Sequence, residues 1–244
     1  MRCPGQDTRY WKPDDIFDAV CPHCGYQVEF FKDEPSRKCK QCGSRVLNPK
    51  VDFGCATYCK FAEQCLGELP SEFLAKREEL FRTRVAVEMK RFFQKDFKRI
   101  SHAAKVARYA EKILVKEKGD MAVVLTAAYL HDIGIKETEK KYTDNSVKHH
   151  QIAGRDRARK ILEKLSADKK LIDEVCDIIE HHHQPHSKET DNFKVLYDAD
   201  RLVNLEEAQK ENPLDENILQ ESVKKDFLTK TGQSLAKDIL LKRD

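Results

Sequence analysis

The spacing of apolar side chains predicts helices over most of the chain after residue 69. From Ser71 to about Phe97, apolar residues recur every three or four positions, the period of one helix face. Ser101 is placed to cap the next helix, and Met121–Leu130 is apolar nearly all round, which predicts a buried central helix ended by Gly134. Further helices are predicted over Ile152–Leu165, Lys170–His182, Asn192–Lys210 and Val223–Lys242.

The pattern before residue 69 is different. Tyr26–Phe31 alternates between polar and apolar positions, as a strand does, and residues 33–36 have the composition of a turn. No convincing strand is predicted after residue 50. The chain is therefore predicted to be mainly α, with a small β/loop module over residues 1–68 followed by an all-helical domain over residues 69–244.

Composition narrows the class of protein. The 244 residues are 40% hydrophobic and 36% charged, with 45 basic against 42 acidic side chains and a net charge of +3. This balance gives no electrostatic reason to expect a nucleic-acid or membrane partner. No run of 18 apolar residues and no apolar signal core at the N-terminus occur, so we expect a cytoplasmic protein.

The cysteines cluster in the first module. Two Cys-x-x-Cys turns, Cys21/Cys24 and Cys39/Cys42, are separated by 14 residues, and a glycine follows each turn. In a reducing compartment such spacing indicates four thiolate ligands to one zinc ion, and the module resembles a zinc ribbon. The competing interpretation is four free surface cysteines. The expected role of the zinc-ribbon-like module is structural or the docking of a protein partner.

Four other cysteines of this module, Cys3, Cys55, Cys59 and Cys65, match no standard zinc spacing. We expect a second four-thiolate site here, holding either zinc or an iron–sulfur cluster. The alternative is that they are small buried hydrophobic residues.

The helical domain contains polar residues of a different kind. His102 begins a helix on its core side, His131 and Asp132 end the predicted central helix, and three histidines end another helix at residues 181–183. Asp198 and Asp200 lie within an apolar segment. A single such histidine is ordinarily only hydrogen-bonded in a core, but several at the buried ends of separate helices suit Fe, Mn, Zn or Ni.

The order His102, His131-Asp132 and Asp200 resembles that of the HD-domain metal-dependent phosphohydrolases. "AYLHDIG" at 128–134 and "ADRLVN" at 199–204 are similar to that family's motifs. The resemblance implies that these four residues bind a first metal. Helical periodicity does not choose between Asp198 and Asp200, and the resemblance favours Asp200.

Some HD proteins bind a second metal through a bridging aspartate, which here would be Asp132. His150 with Gly154, and a histidine after Ile178-Ile179, are similar to the additional ligands. His181 is the first choice for that histidine and His182 the second. His149, His183 and His186 are expected to be exposed or to lie behind the ligands.

The resemblance implies hydrolysis of a nucleotide or another small phosphoester by a metal-activated hydroxide, with one or two Mn, Fe, Ni or Zn ions. Lys136, Arg155 and Arg201 are candidates to neutralise charge on the phosphate, and Asn204 matches a position in "ADRLVN". The Gly-Tyr-Pro segment of cyclic-di-GMP phosphodiesterases is absent after the histidines. Two alternatives remain: a two-iron oxygenase with the same ligands, and a non-catalytic, metal-held docking or sensor protein.

Overall fold

The structure is a computed structural model that describes residues 16–31, 34, 36–50, 62, 71–136, 147–186 and 188–241; the side chains of 71–73 and 147–149 are not among those described. The chain divides into two compact units, Met1–Leu80 and Phe81–Asp244. The boundary predicted at 68/69 lies outside the described residues and stays a prediction.

The first unit contains two short antiparallel hairpins. Strand β1 (Ile16–Val20) pairs with β2 (Gln27–Phe31), and β3 (Ser36–Lys38) pairs with β4 (Arg45–Leu47). A Cys-x-x-Cys turn connects the two strands of each hairpin. Strand β2 coincides with the alternating segment of the sequence, because its apolar side chains, Val28 and Phe30, are the ones that become buried.

Eight helices occur in the described part of the chain, so the predicted mainly-α fold with a small N-terminal strand region is confirmed. They are α1 (Ser71–Phe93), α2 (Phe97–Leu114), α3 (Met121–Leu130), α4 (Val147–Lys164), α5 (Lys169–His181), α6 (Asp191–Glu211), α7 (Glu216–Lys225) and α8 (Lys230–Leu240). None of the described helices is both long enough and apolar enough to cross a membrane.

Helix α3 is the centre of the second unit. It packs against α2, α5 and α6, and seven of its ten residues are buried. This explains why α3 is apolar all round, since each of its faces meets another helix. The residues that directly follow α3 therefore lie in the core, where a buried polar side chain needs a hydrogen bond, an ion pair or a metal ion.

Two helix ends differ from the sequence prediction. Asp96, not Ser101, caps α2, because its carboxylate accepts a hydrogen bond from the backbone N–H of Arg99 at 3.2 Å. The single helix predicted over Val223–Lys242 is interrupted between α7 and α8. There the N–H groups of Leu228 and Thr229 donate to the buried carboxylate of Asp198 at 2.7 and 2.8 Å instead of continuing a helix.

Candidate metal centre

His131 directly follows α3 and is the most buried histidine of the described chain, at 1% exposure. Its Nδ1 donates to the carbonyl of Ala128 at 2.9 Å. Because a carbonyl can only accept, Nδ1 carries the proton and Nε2 of the neutral ring presents a lone pair. This Nε2 is buried and has no hydrogen-bond partner among the described residues. A ring held in this way is suited to bind a metal.

His102, His131 and Asp200 form a first cluster, whose ligand atoms all lie within 4.8 Å of one another. Asp200 Oδ1 is 3.1 Å from Nε2 of His102 and 3.4 Å from Nε2 of His131. Helices α2 and α6 supply His102 and Asp200, and they pack together beside α3. The spacing fits donor atoms that each lie about 2.1 Å from one shared ion.

His150, His182 and His183 form a second cluster together with Asp132, again with all ligand atoms within 4.8 Å. His182 repeats the arrangement of His131: Nδ1 donates to the carbonyl of Ile179 at 2.8 Å, and Nε2 is buried without a partner in the described chain. Nε2 of His150 is 3.0 Å from Nε2 of His183. This distance fits a hydrogen bond between the two rings and also two nitrogens that bind one ion.

Asp132 connects the two clusters because its two oxygens face different histidines. Oδ2 is 3.4 Å from Nε2 of His131 and 3.9 Å from Nε2 of His102. Oδ1 is 3.7 Å from Nε2 of His182 and has no hydrogen-bond partner among the described groups. One carboxylate is thus placed to contribute an oxygen to each of two ions.

Two glycines allow α4 to approach this centre. A Cβ atom at Gly134 would overlap the carbonyl oxygen of His150 and the backbone nitrogen of Gly154, and would lie 2.8 Å from the Cα of Gly154. Glycine at 134 therefore lets the turn after α3 touch the backbone of α4 directly. That contact brings His150 to the second cluster, and it explains the spacing of His150 and Gly154 along the helix.

The electrostatics of the first cluster favour charged carboxylates. Burial alone would raise the pKa of Asp132, but His131 and His182 beside it bring the pKa well below its usual value. Burial likewise opposes ionisation of Asp200, whose pKa the neighbouring His131 and His102 lower. Burial alone would lower the pKa of His131, yet the two aspartates raise it well above the ordinary value. Positive charge is therefore strongly favoured between these carboxylates, and a divalent cation would supply it.

The second cluster is less acidic and favours neutral imidazoles. Burial lowers the pKa of His183 to about 4, and the neighbouring His182 acts in the same direction. Burial also lowers the pKa of His150. Neutral imidazole is the form that binds transition metals. His183 is exposed, as the sequence predicted, yet its Nε2 lies close to Nε2 of His150 and it belongs to the second cluster.

His181, the first choice from the sequence for the second cluster, lies elsewhere. Its Nε2 is 3.4 Å from Glu189, and its ring stacks on Phe193 with 4.7 Å between centroids. The physical reason is that adjacent residues at a helix end point about 100° apart, so only one of His181 and His182 can face the core. The structure directs His182 there. The side chain of His149 is outside the described part of the chain.

Asp198 and Asp200 have different partners. Asp198 is fully buried and accepts three hydrogen bonds, from the N–H groups of Leu228 and Thr229 and from the Thr229 hydroxyl at 2.6 Å. Its burial raises the pKa to about 6 in spite of these donors. Asp198 thus fastens the segment before α8, while Asp200 faces the histidines.

The cationic candidates are engaged away from the clusters. Lys136 donates from Nζ to the carbonyls of Phe92 and Phe93 at the end of α1, at 3.3 and 3.2 Å. Arg155 pairs with Glu180 at 2.8 Å, and Arg201 with Asp226 at 2.6 Å. Asn204 is exposed, one helical turn after Asp200. The structure brings none of the three cations to the clusters through a hydrogen bond that it describes.

The first unit brings its four predicted thiolates together. Cys21, Cys24, Cys39 and Cys42 have sulfur atoms within 4.8 Å of one another, with 3.7 Å between Cys21 and Cys42 and 3.6 Å between Cys24 and Cys39. Thiolates bound tetrahedrally at about 2.3 Å from zinc lie roughly 3.8 Å apart, so the spacing fits. Gly25 and Gly43 follow the turns with positive φ angles of 76° and 72°, which glycine adopts readily. Cys3, Cys55, Cys59 and Cys65 lie outside the described residues.

Glu207, which is not among the residues predicted from the sequence, lies on α6 two turns after Asp200. Its Oε2 is 3.3 Å from Nδ1 of His102. The spacing of seven residues places both carboxylates on one helix face and is the signal that identifies it.

Comparison with known proteins places the centre within a family model. Residues 99–205 match the model of the HD domain. Among solved structures, the chain is similar to the crystal structure of a predicted HD superfamily hydrolase from an uncultured Thermotogales bacterium. The two share 25% sequence identity, 66% of this chain and 83% of that chain are covered, and the TM-score is 0.46. No curated protein gave a match.

Proposed function

Because residues 99–205 form an HD domain, we propose that the protein is a metal-dependent phosphohydrolase acting on a nucleotide or another small phosphoester through a two-metal centre. The observation that carries this proposal is the position of Asp132, whose Oδ2 lies near His131 and whose Oδ1 lies near His182. Two ions joined by one carboxylate are a common arrangement for displacement at phosphorus.

The residues present fit such a centre. His102, His131, Asp132 and Asp200 would hold one ion, and Asp132, His150, His182 and His183 the other. Imidazole with carboxylate suits Mn, Fe, Ni or Zn. When bound, the ions would lower the pKa of a coordinated water from 15.7 to about 7 and stabilise charge on the phosphoryl oxygens.

The chain itself supplies orientation. The carbonyls of Ala128 and Ile179 keep the protons of His131 and His182 on Nδ1, so that both Nε2 atoms face the centre. The contact between Gly134 and Gly154 sets the distance of His150 from Asp132. With Lys136, Arg155 and Arg201 bonded to other groups, the metal ions are the main source of positive charge at the phosphate in this proposal.

We also propose that the four thiolates of the first unit bind a structural zinc ion. The hydrophobic cluster of the two hairpins contains five buried residues, and two of them, Cys21 and Cys39, are among the proposed ligands. So small a core is typical of modules that depend on a metal for folding.

The experiment is a phosphate-release assay on the full chain with nucleotides, dinucleotide polyphosphates and simple phosphoesters, each with Mn, Ni or Fe. Wild type is compared with D132A and with D173N, whose carboxylate forms an ion pair on the surface with Arg159. We expect metal-dependent turnover in wild type and D173N and its loss in D132A. Turnover that survives in D132A, or metal-loaded protein that is inactive on every phosphoester, would contradict the proposal. Oxygen uptake by the ferrous protein would then favour the two-iron oxygenase.

A further inference from the structure

A third group of potential metal ligands lies where α5 connects to α6. His181 is the last residue of α5, His186 lies in the connection, and Glu189 precedes Thr190, the N-cap of α6. Their ligand atoms lie within 4.8 Å of one another. None of the three belongs to the clusters that share Asp132.

The distances suit one shared ion. Nε2 of His181 is 3.4 Å from Oε2 of Glu189, and Nδ1 of His186 is 3.3 Å from Oε1. The two imidazole rings are 4.6 Å apart, and Phe193 stacks on His181 and fixes its plane. The Glu189 side chain is only 7% exposed, and it has no Lys or Arg partner among the described residues, which is unusual for a buried carboxylate. Its Oε1 accepts a hydrogen bond from the backbone N–H of His186.

The hydrogen bonds of His181 leave two acceptor atoms facing each other. Nδ1 of His181 donates to the carbonyl of Asp177, so in the neutral ring Nε2 has a lone pair and no proton. That lone pair faces a carboxylate oxygen, which is also an acceptor. A metal ion between these two acceptors would satisfy both of them. A backbone carbonyl that accepts from the non-ligating nitrogen is also the usual neighbour of a metal-bound histidine.

We propose that His181, His186 and Glu189 bind a divalent transition metal, with zinc as the best match to two imidazoles and one carboxylate. The bound ion joins the end of α5, the connection and the start of α6. His182 and His183 lie inside the segment that it closes, so the third ion holds the backbone on which two ligands of the second cluster are carried. The site itself does not depend on the proposed hydrolase activity.

The test is zinc binding by the full chain, measured by equilibrium dialysis against buffered free Zn²⁺ with elemental analysis. His186 is suited to substitution because its side chain is 67% exposed, so H186A leaves the core intact. K188A is the matched control in the same exposed connection. We expect wild type and K188A to bind the same number of zinc ions, and H186A to bind one of them at least about tenfold more weakly. E189Q should lower the affinity for the same zinc ion.

A D200A variant separates this ion from the clusters around Asp132. We expect the amounts of bound zinc lost in D200A and in H186A to add in the double variant, because the two substitutions affect different ions. Unchanged zinc affinity in both H186A and E189Q would overturn the proposal. Loss of the same ion in D200A and H186A would also overturn it.

Discussion

Glu207 approaches the His102 ring from the side opposite to Asp200. Its Oε2 is 3.3 Å from Nδ1, while Nε2 on the other edge is 3.1 Å from Asp200. A carboxylate at this position fixes the proton on Nδ1 and directs the Nε2 lone pair at the first cluster, and it also makes the ring a stronger donor to a metal.

Removing this carboxylate should weaken metal binding without removing a ligand. For E207A we expect a loss of about 10- to 100-fold in affinity for Mn²⁺, measured by isothermal titration. E207Q keeps an oxygen that accepts from Nδ1 and should lose less than E207A. E211Q, at an exposed ion pair with Lys98, is the control and should bind as wild type does. Equal affinity in E207A and wild type would show that Glu207 does not position His102.

Substitution of Asp198 should lower stability, whereas substitution of Asp200 should remove a metal ion. D198N places an amide where three groups donate, so one donor is left unsatisfied, and we expect the free energy of unfolding to fall by about 1–3 kcal/mol. Metal binding at the first cluster should persist. D200N should instead lose that metal. Chemical denaturation and elemental analysis of both variants check the contrast, and metal loss in D198N with retention in D200N would reverse the assignment.

The two close-packed glycines should tolerate alanine unequally. In G134A the new Cβ meets backbone atoms of α4, so the helix must move, and we expect a destabilisation of about 1–3 kcal/mol together with loss of metal at the second cluster. In G154A the nearest atom is Cγ2 of Ile179 at 3.2 Å, which can shift. Alanine also favours the helix by about 1 kcal/mol. G154A should therefore be close to wild type in thermal unfolding, and equal effects of both substitutions would contradict the close approach.

Glu206 should contribute to the acid dependence of stability. Burial alone would raise its pKa, but the Tyr109 hydroxyl at 2.7 Å and the ammonium groups of Lys105 and Lys210 lower the pKa to about 2, from an ordinary 4.5. Because the folded state gives up this proton more readily, the contribution is complete above pH 4.5 and is lost as the pH falls towards 2. Denaturation at a series of pH values should show a steeper acid loss for wild type than for E206Q; parallel curves would refute this.

The first unit should depend on its thiolates. In C39S we expect one zinc ion per chain to be lost and the remaining cysteines of this group to react quickly with a thiol reagent, because the proposed zinc ion, which would join the two hairpins, no longer binds. C176A is the control, since Cys176 is buried in the second unit. A zinc content in C39S equal to that of C176A would argue against the thiolate site.

The resemblance of "AYLHDIG" and "ADRLVN" to the HD-domain motifs is confirmed by the family match over residues 99–205. The sequence could not choose between His181 and His182. One residue at the end of a helix changes the direction of a side chain by about 100°, and helix ends are the least certain part of a periodic pattern.

The periodic pattern of the sequence likewise could not predict the partners of the long cationic side chains. Lys136 caps α1, which is far away along the chain, and Arg201 reaches Asp226. The interruption between α7 and α8 had a local signal in Thr229, a residue favoured at helix N-caps, but the acceptor that stabilises it, Asp198, comes from another helix. Such contacts arise only when the helices pack.

A carboxylate that serves two ions also makes them depend on each other. In the proposed centre, an ion that orders Asp132 would leave the other oxygen in place for the second ion, but the second ion would also meet the charge of the first. The balance of these two effects is a coupling free energy, and thermodynamic linkage requires it to be the same whichever ion binds first. The affinity of one cluster for metal must therefore be measured at a stated occupancy of the other. The steepness of a metal titration then measures the coupling free energy that Asp132 transmits between the two ions.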